Sequence, residues 1–243
     1  MRHFGLIGCP LGHSRSAEYF ADKFLHEGIE ADYTLAAIAT IDAMPEATRG
    51  WNGFNVTIPY KKSILPYLAH ISDEAAAIGA VNCVRRNADG SMEGFNTDIN
   101  GVRATFARLG IADGVRALVL GNGGAAAAVE FVLRERGMKY TTVSRSRERG
   151  NTTYDRLTPQ TIMQHSLIIN TTPVGMYPDV ESAPAIPYCA LTPDHTLFDV
   201  IYNPAPTRFL SLGAERGARI IGGETMLVAQ AEASWRIWNG AER

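Results

Sequence analysis

Lysine is scarce in this chain. Of 23 basic side chains only four are lysines, Lys23, Lys61, Lys62 and Lys139, so a lysine inside a motif is more informative here than in an ordinary sequence. Cysteine is scarcer still: Cys9, Cys83 and Cys189 are odd in number and far apart. That excludes a disulfide scaffold, and the absence of CxxC or a Cys/His cluster gives no reason to expect a metal. The six histidines are scattered and form no HExxH. No apolar run approaches the length of a membrane span. The short apolar stretch after Met1 meets Gly8 and Pro10 too early for a signal peptide. The expected location is a reducing compartment, the cytoplasm. Net charge is −2, with no basic field for nucleic acid and no polybasic segment for a membrane surface.

What is present is an ordinary globular profile, 46% hydrophobic and 20% charged, over a length that allows one large or two modest domains. Short strands alternate with helices. Strands are expected at 4–8, 33–38, 53–58, 79–86 and 92–95, with Asp89-Gly90 as a hairpin turn. Helices are expected at 16–27, 72–78 and from Asp98 to about Leu109. The character changes near residue 110. Apolar strands at 116–121, 140–144, 167–170, 196–201 and 219–221 then alternate with helices, the pattern of a parallel α/β sheet. Seven of the 12 prolines fall between Pro173 and Pro206, so that stretch reads mostly as loop. A last helix is expected from about Thr225 to Trp238.

Gly121-Asn122-Gly123-Gly124-Ala125-Ala126 follows an apolar strand and opens a helix, the context a dinucleotide fingerprint requires. Its glycines let the backbone approach a pyrophosphate at the helix N-terminus. An NAD site usually places an acid about 20 residues on, to hold the ribose 2′-hydroxyl. Here the run reads Ser144-Arg145-Ser146-Arg147-Glu148-Arg149, with no acid at the strand end and an arginine next. A guanidinium suits a 2′-phosphate, so the expected cofactor is NADP.

Four features lie outside that segment. Ser14 and Ser16 precede a helix and would either cap it or bind a carboxylate. Thr57 and Lys61 flank Pro59, which ends a strand and places Lys61 in a loop. Asn96-Thr97-Asp98 opens the next helix. Gln230 shares its helix face with Met226, Leu227, Ala233, Ser234, Ile237 and Trp238, so a buried amide there needs a partner.

Taken together and in order, these motifs resemble the shikimate dehydrogenase family, whose members reduce 3-dehydroshikimate with NADPH in aromatic biosynthesis. The resemblance runs through Gly5-Leu-Ile-Gly8, Pro10-Leu-Gly-His13-Ser-Arg-Ser16 and Phe54-Asn-Val-Thr-Ile-Pro-Tyr-Lys61. It continues through Gly79-Ala-Val-Asn82, Gly94-Phe-Asn-Thr-Asp98 and the glycine turn. It ends with Asn170-Thr-Thr-Pro-Val-Gly-Met176, Asp199-Val-Ile-Tyr-Asn-Pro204 and Met226-Leu-Val-Ala-Gln-Ala231.

The resemblance implies an N-terminal α/β substrate domain, residues 1–101 plus 225–243, and a Rossmann-type NADP domain, 102–224, with the last helix returning to the first. It implies Lys61 and Asp98 as the catalytic pair, and Ser14 and Ser16 on the substrate carboxylate. Thr57, Asn82, Asp98 and Gln230 would hold the ring hydroxyls, with Tyr202 also on the substrate. Gly121, Asn122, Gly123, Gly124, Ala125, Ser144, Arg145, Ser146, Arg149 and Thr171 would contact NADP. Met176 and Gly223 would lie, like Tyr202, near its nicotinamide end. The implied partner is a small molecule, shikimate or 3-dehydroshikimate, bound by a monomer or homodimer. A quinate/shikimate dehydrogenase with relaxed NAD/NADP use and a non-catalytic NADP-binding module remain as alternatives. One departure stands out: after Ser16 the family's Pro-x-x-His-Asn is replaced by Ala17-Glu-Tyr-Phe20-Ala21.

Overall fold

The strand–helix alternation builds two sheets. The computed structural model describes residues 1–12 and 14–240; His13 and residues 241–243 lie outside the described residues. The chain divides into two compact units, Met1–Asn100 with Val228–Arg243, and Gly101–Leu227.

The first unit contains β1 (Arg2–Gly8), α1 (Ser16–Glu27), β2 (Ala31–Ala37), α2 (Met44–Ala47), β3 (Gly53–Val56), β4 (His70–Ile71), α3 (Asp73–Ile78), β5 (Cys83–Arg86) and β6 (Met92–Phe95). The helix α4 (Asp98–Leu109) begins in it. Its sheet has the order β2-β1-β3-β5-β6-β4 and is mixed: β1 is parallel to β2 and β3, while β5 is antiparallel to β3 and β6. The Asp89-Gly90 turn joins β5 to β6 as expected, with Gly90 at φ 87° and Asp89 Oδ1 accepting from the Ser91 amide at 2.9 Å. The strand expected over 79–86 is shorter. Gly79 ends α3 in the left-handed conformation, φ 69°, so pairing with β3 starts only at Cys83.

The second unit contains β7 (Ala117–Leu120), α5 (Gly124–Glu135), β8 (Tyr140–Ser144), β9 (Thr152–Thr153), α6 (Pro159–Met163), β10 (Leu167–Asn170), β11 (Thr196–Asp199), α7 (Arg208–Ala214) and β12 (Arg219–Ile221). The helix α8 (Glu224–Trp238) starts in this unit and ends in the first. The sheet order is β12-β11-β10-β7-β8-β9, parallel throughout. The chain winds outward from β7 through β8 to β9, then restarts at β10 on the other side, the doubly wound Rossmann order. Buried Leu118, Leu120, Val143, Ile168 and Leu197 form the core with Phe209 and Leu210 of α7. The proline-rich 173–206 stretch is loop up to β11, apart from a short turn at 188–190.

The last turns of α8 pack on the first unit's sheet. Trp238 stacks on Phe4 at 4.7 Å and donates its indole N–H to Val84 O at 3.0 Å. A Cβ on Gly53 would lie 2.4 Å from that indole, so β3 needs glycine there. Burying a ring of this size contributes about 2–3 kcal/mol, and this contact sets the part of α8 that carries Gln230 and Ser234.

Candidate active site

In an open α/β sheet, ligands gather beyond the carboxyl ends of strands where the winding reverses. In the first unit that edge lies beyond β1 and β3. The Thr57 amide donates to Ile7 O at 3.0 Å and the Cys9 amide to Ile58 O at 3.1 Å, so the two outgoing loops are laced together. A Cβ on Gly8 would lie 2.4 Å from the Thr57 side chain. The loop after β1 leads to Ser14 and Ser16, and the loop after β3 carries Thr57 and Lys61. Because β5 runs antiparallel to β3, Asn82 before its start reaches the same edge, as does Asp98 after β6.

Lys61 Nζ lies 2.6 Å from Asp98 Oδ2, and Asn82 donates to Asp98 Oδ1 at 2.8 Å. Both carboxylate oxygens are therefore held. The Lys61 side chain is 20% exposed and that of Asp98 10%, a pair mostly withdrawn from water that still faces out. The neighbouring Lys62 is exposed, which separates the two adjacent lysines. The Val81 amide fixes the Lys61 carbonyl at 2.8 Å.

Behind this pair runs a polar chain that the sequence does not announce. Asn82 Oδ1 accepts from the Thr97 amide at 2.6 Å and the Thr97 hydroxyl at 3.2 Å. That hydroxyl lies 3.2 Å from Ser234 Oγ and 3.5 Å from Gln230 Oε1. Ser234 accepts from Asn55 Nδ2 at 2.9 Å, and Asn55 Oδ1 accepts from the Tyr33 hydroxyl at 2.9 Å. Burial holds the Tyr33 phenol well above the usual range, the Cys83 thiol adds to this, and the nearby Ser16 side chain opposes it. Lys61, Asp98, Asn82, Thr97, Gln230, Ser234, Asn55 and Tyr33 are thus connected through named bonds. Tyr33, Asn55, Thr97 and Ser234 are not candidates from sequence. The only signal is a polar residue inside an apolar run, as in Phe54-Asn55-Val56.

Ser14 Oγ accepts from the Ser16 amide at 3.3 Å, and Arg15, at the N-cap position of α1, makes no side-chain cap. Where the family's Pro-x-x-His-Asn is missing, α1 is fixed otherwise. The Tyr19 hydroxyl donates to Glu232 of α8, and Lys23 bridges Glu232 at 2.9 Å and Glu27 at 2.7 Å.

In the second unit the winding reverses between β7 and β10. Gly121 follows β7 at φ 110°, and a Cβ there would lie 2.6 Å from Thr171 Oγ1, just past β10. Thr171 Oγ1 donates to Leu120 O at 2.7 Å. Asn122 and Gly123 lie in the turn before α5, Gly124 and Ala125 open that helix, and nothing lies within 4 Å of where a Gly123 Cβ would be. No side chain caps this 12-residue helix. Beyond β8, Arg145, Ser146, Arg147 and Arg149 are exposed. Ser144 differs: it is buried, its hydroxyl donates to Ser146 O and accepts the Ser146 amide at 3.2 Å, so it shapes the loop from inside. Met176 is 40% exposed and Tyr202 half-buried, and the Gly223 amide donates to Ile201 O at 2.9 Å.

The family model for the shikimate dehydrogenase substrate binding domain matches residues 6–84. The shikimate dehydrogenase (NADP(+)) of Clostridium beijerinckii is 37% identical, over 98% of this chain and 92% of its own. The chain belongs to the shikimate dehydrogenase family. The shikimate 5-dehydrogenase of Thermus thermophilus, solved with NADP(H) and shikimate, superposes with a TM-score of 0.88 at 32% identity, covering 99% of this chain and 94% of that one. A quinate dehydrogenase from Corynebacterium glutamicum, solved with NAD, also superposes with a TM-score of 0.88, at 26% identity over 98% and 94% of the two chains.

The second unit of this shikimate dehydrogenase family member suits a dinucleotide. Uncapped amides at the start of α5, open space at Gly123 and exposed arginines past a strand end without an acid fit a phosphorylated one. Among the described residues no group of His, Cys, Asp and Glu could hold a metal, and no helix is long and apolar enough to cross a membrane.

Proposed function

We propose that this chain catalyses the reversible, NADP-dependent reduction of 3-dehydroshikimate to shikimate. The observation that carries this is the Lys61–Asp98 pair at 2.6 Å, with the second Asp98 oxygen held by Asn82, in a chain of this family. NADPH, when bound, supplies the hydride. Lys61 donates a proton to the substrate oxygen as it becomes a hydroxyl, and takes it back in the oxidation direction. Asp98 orients the ammonium, and Asn82 holds Asp98.

Ser14 and Ser16 face the substrate carboxylate, while Thr57, Asn82, Asp98 and Gln230 meet ring hydroxyls. The first unit is then the substrate domain and the second the NADP domain. Arg145 engages the 2′-phosphate with Ser146 and Arg149, while Ser144 keeps that loop in shape. Asn122, Gly123, Gly124 and Ala125 offer backbone to the pyrophosphate, Gly121 sets the turn against Thr171, and Met176, Tyr202 and Gly223 serve the nicotinamide end. The protein works as a monomer or homodimer in a reducing compartment, the cytoplasm, where Cys9, Cys83 and Cys189 stay free thiols.

The test is absorbance at 340 nm with shikimate or quinate, each against NADP⁺ and NAD⁺. Turnover confined to shikimate with NADP⁺ is expected. Comparable turnover with quinate or NAD⁺ would move the assignment to a relaxed-specificity relative. No turnover in any combination, with NADP⁺ still raising thermal stability, would leave a binding module.

A further inference from the structure

Asp199 ends β11 with no solvent exposure, and the proposed chemistry gives it no part. Its carboxylate collects donors from distinct points of the chain. Asn170 Nδ2 reaches both oxygens at 3.1 and 3.2 Å, the Thr207 hydroxyl donates to Oδ2 at 2.7 Å, and the Ile201 amide to Oδ1 at 3.0 Å.

Each donor governs a segment that carries a candidate cofactor residue. Asn170 opens the loop with Thr171 and Met176. Its Oδ1 accepts from the Thr172 amide at 3.1 Å and hydroxyl at 2.6 Å, while its Nδ2 also reaches Val174 O at 3.3 Å. Thr207 caps α7, accepting the Leu210 amide at 3.4 Å, and closes the loop that carries Tyr202. Ile201 passes the hold to Gly223 through its carbonyl. There a Cβ would lie 2.1 Å from Val200 O, so the two backbones are in contact.

We propose that Asp199 is a positioning residue for the nicotinamide end of the cofactor, fixing the segments of Thr171, Met176, Tyr202 and Gly223 as one body. This rests on the reading that the second unit binds NADP. Only an ionised carboxylate accepts all these donors; an amide at 199 would turn an N–H toward another donor.

The test uses the full chain with Asp199→Asn and Thr207→Val. Affinities are measured by calorimetry for NADP⁺ and for 2′,5′-ADP, which has the adenosine half without nicotinamide, alongside kcat and the KM for shikimate. Asp199→Asn should weaken NADP⁺ about tenfold, the loss of one or two good hydrogen bonds, and Thr207→Val about threefold. Affinity for 2′,5′-ADP should hold within about twofold, kcat should fall, and the KM for shikimate, which Tyr202 also meets, should rise less than the Kd for NADP⁺. Equal weakening of both nucleotides would show a merely structural role and overturn the proposal, as would no weakening in either variant. If Asp199→Asn does not fold, Thr207→Val, which keeps the carboxylate and its other donors, decides by the same criterion. A wild-type chain that turns over shikimate with NADP⁺ but shows no variant effect overturns the proposal alone. One that binds neither nucleotide overturns the NADP reading with it.

Discussion

The two units prepare their chemistry in opposite ways. In the first, the polar groups are withdrawn from water and bonded to one another before any ligand arrives: Lys61 to Asp98, Asp98 to Asn82, Asn82 to Thr97. In the second, the groups proposed to meet the cofactor's phosphates stand open: the uncapped start of α5, Gly123 with empty space beside it, and Arg145 and Arg149 in water. A proton-transfer group has to be aimed to within a fraction of an ångström, and internal bonds do that. A phosphate site can wait, because its ligand brings the charge that orders the arginines. Substitutions in the first unit should therefore act on kcat, and those at the open edge of the second on cofactor affinity.

The sharpest break of that contrast is Lys61→Met, which should lower kcat about 10²–10⁴-fold, the range for losing a general acid–base group. Lys62→Met should leave steady-state kinetics unchanged, since Lys62 is exposed and Asp98 holds its neighbour. Next comes Arg145→Ala. Removing charge-assisted bonds to a 2′-phosphate should raise the KM for NADP⁺ about tenfold to a hundredfold and leave that for NAD⁺ nearly unchanged. A parallel rise for both cofactors would place Arg145 elsewhere. Thr97→Val is smaller. It removes the hydroxyl that reaches Asn82, Ser234 and Gln230 but keeps the backbone bond to Asn82 at 2.6 Å. A fall in kcat of about threefold to tenfold and a stability loss of about 1–2 kcal/mol are expected, read by initial rates and denaturant melts.

Asp199 adds a pH dependence to the second unit's stability. Burial pushes its carboxyl up to about 6 from 3.8, against the pull of Thr207, Ile201 and Asn170. The folded state thus holds this proton more tightly than the unfolded chain. The group's contribution is most favourable below about pH 4 and declines as pH rises to about 6, by about 3 kcal/mol in all. Melting curves of wild type and Asp199→Asn should shift in favour of wild type as pH falls from 7 to 4.5. A difference that stays constant across that range would contradict the assignment.

Much of this is legible in the sequence, because local signals set it. Helix α1 runs over the expected 16–27, closed by Gly28 at φ 63°, and the glycine turn sits between β7 and α5. Lys61 and Asn82 stand in loops and Asp98 is the first residue of α4, each two or three positions after a Pro, Gly or Asn, where motifs show. Helices α6 and α7 escape such a reading, being too short for an apolar stripe; their remaining signal is a capping threonine, Thr158 and Thr207. The Asn55–Ser234 bond spans 179 residues, and no local pattern reports such a partner. Ser144 shows the converse. Its motif position suggests cofactor contact, but it is buried with its hydroxyl bonded to the Ser146 backbone.

The most direct measurement of the contrast is a kinetic cycle with Asp98→Asn, Arg145→Ala and the double variant, reading kcat and the KM for NADP⁺ in shikimate oxidation. If the regions do separate work, Asp98→Asn lowers kcat with little change in that KM. Arg145→Ala then raises the KM with little change in kcat, and the double variant shows the product of the two effects. A fall in kcat with Arg145→Ala as large as that with Asp98→Asn, or a double variant no worse than one single, would contradict the account.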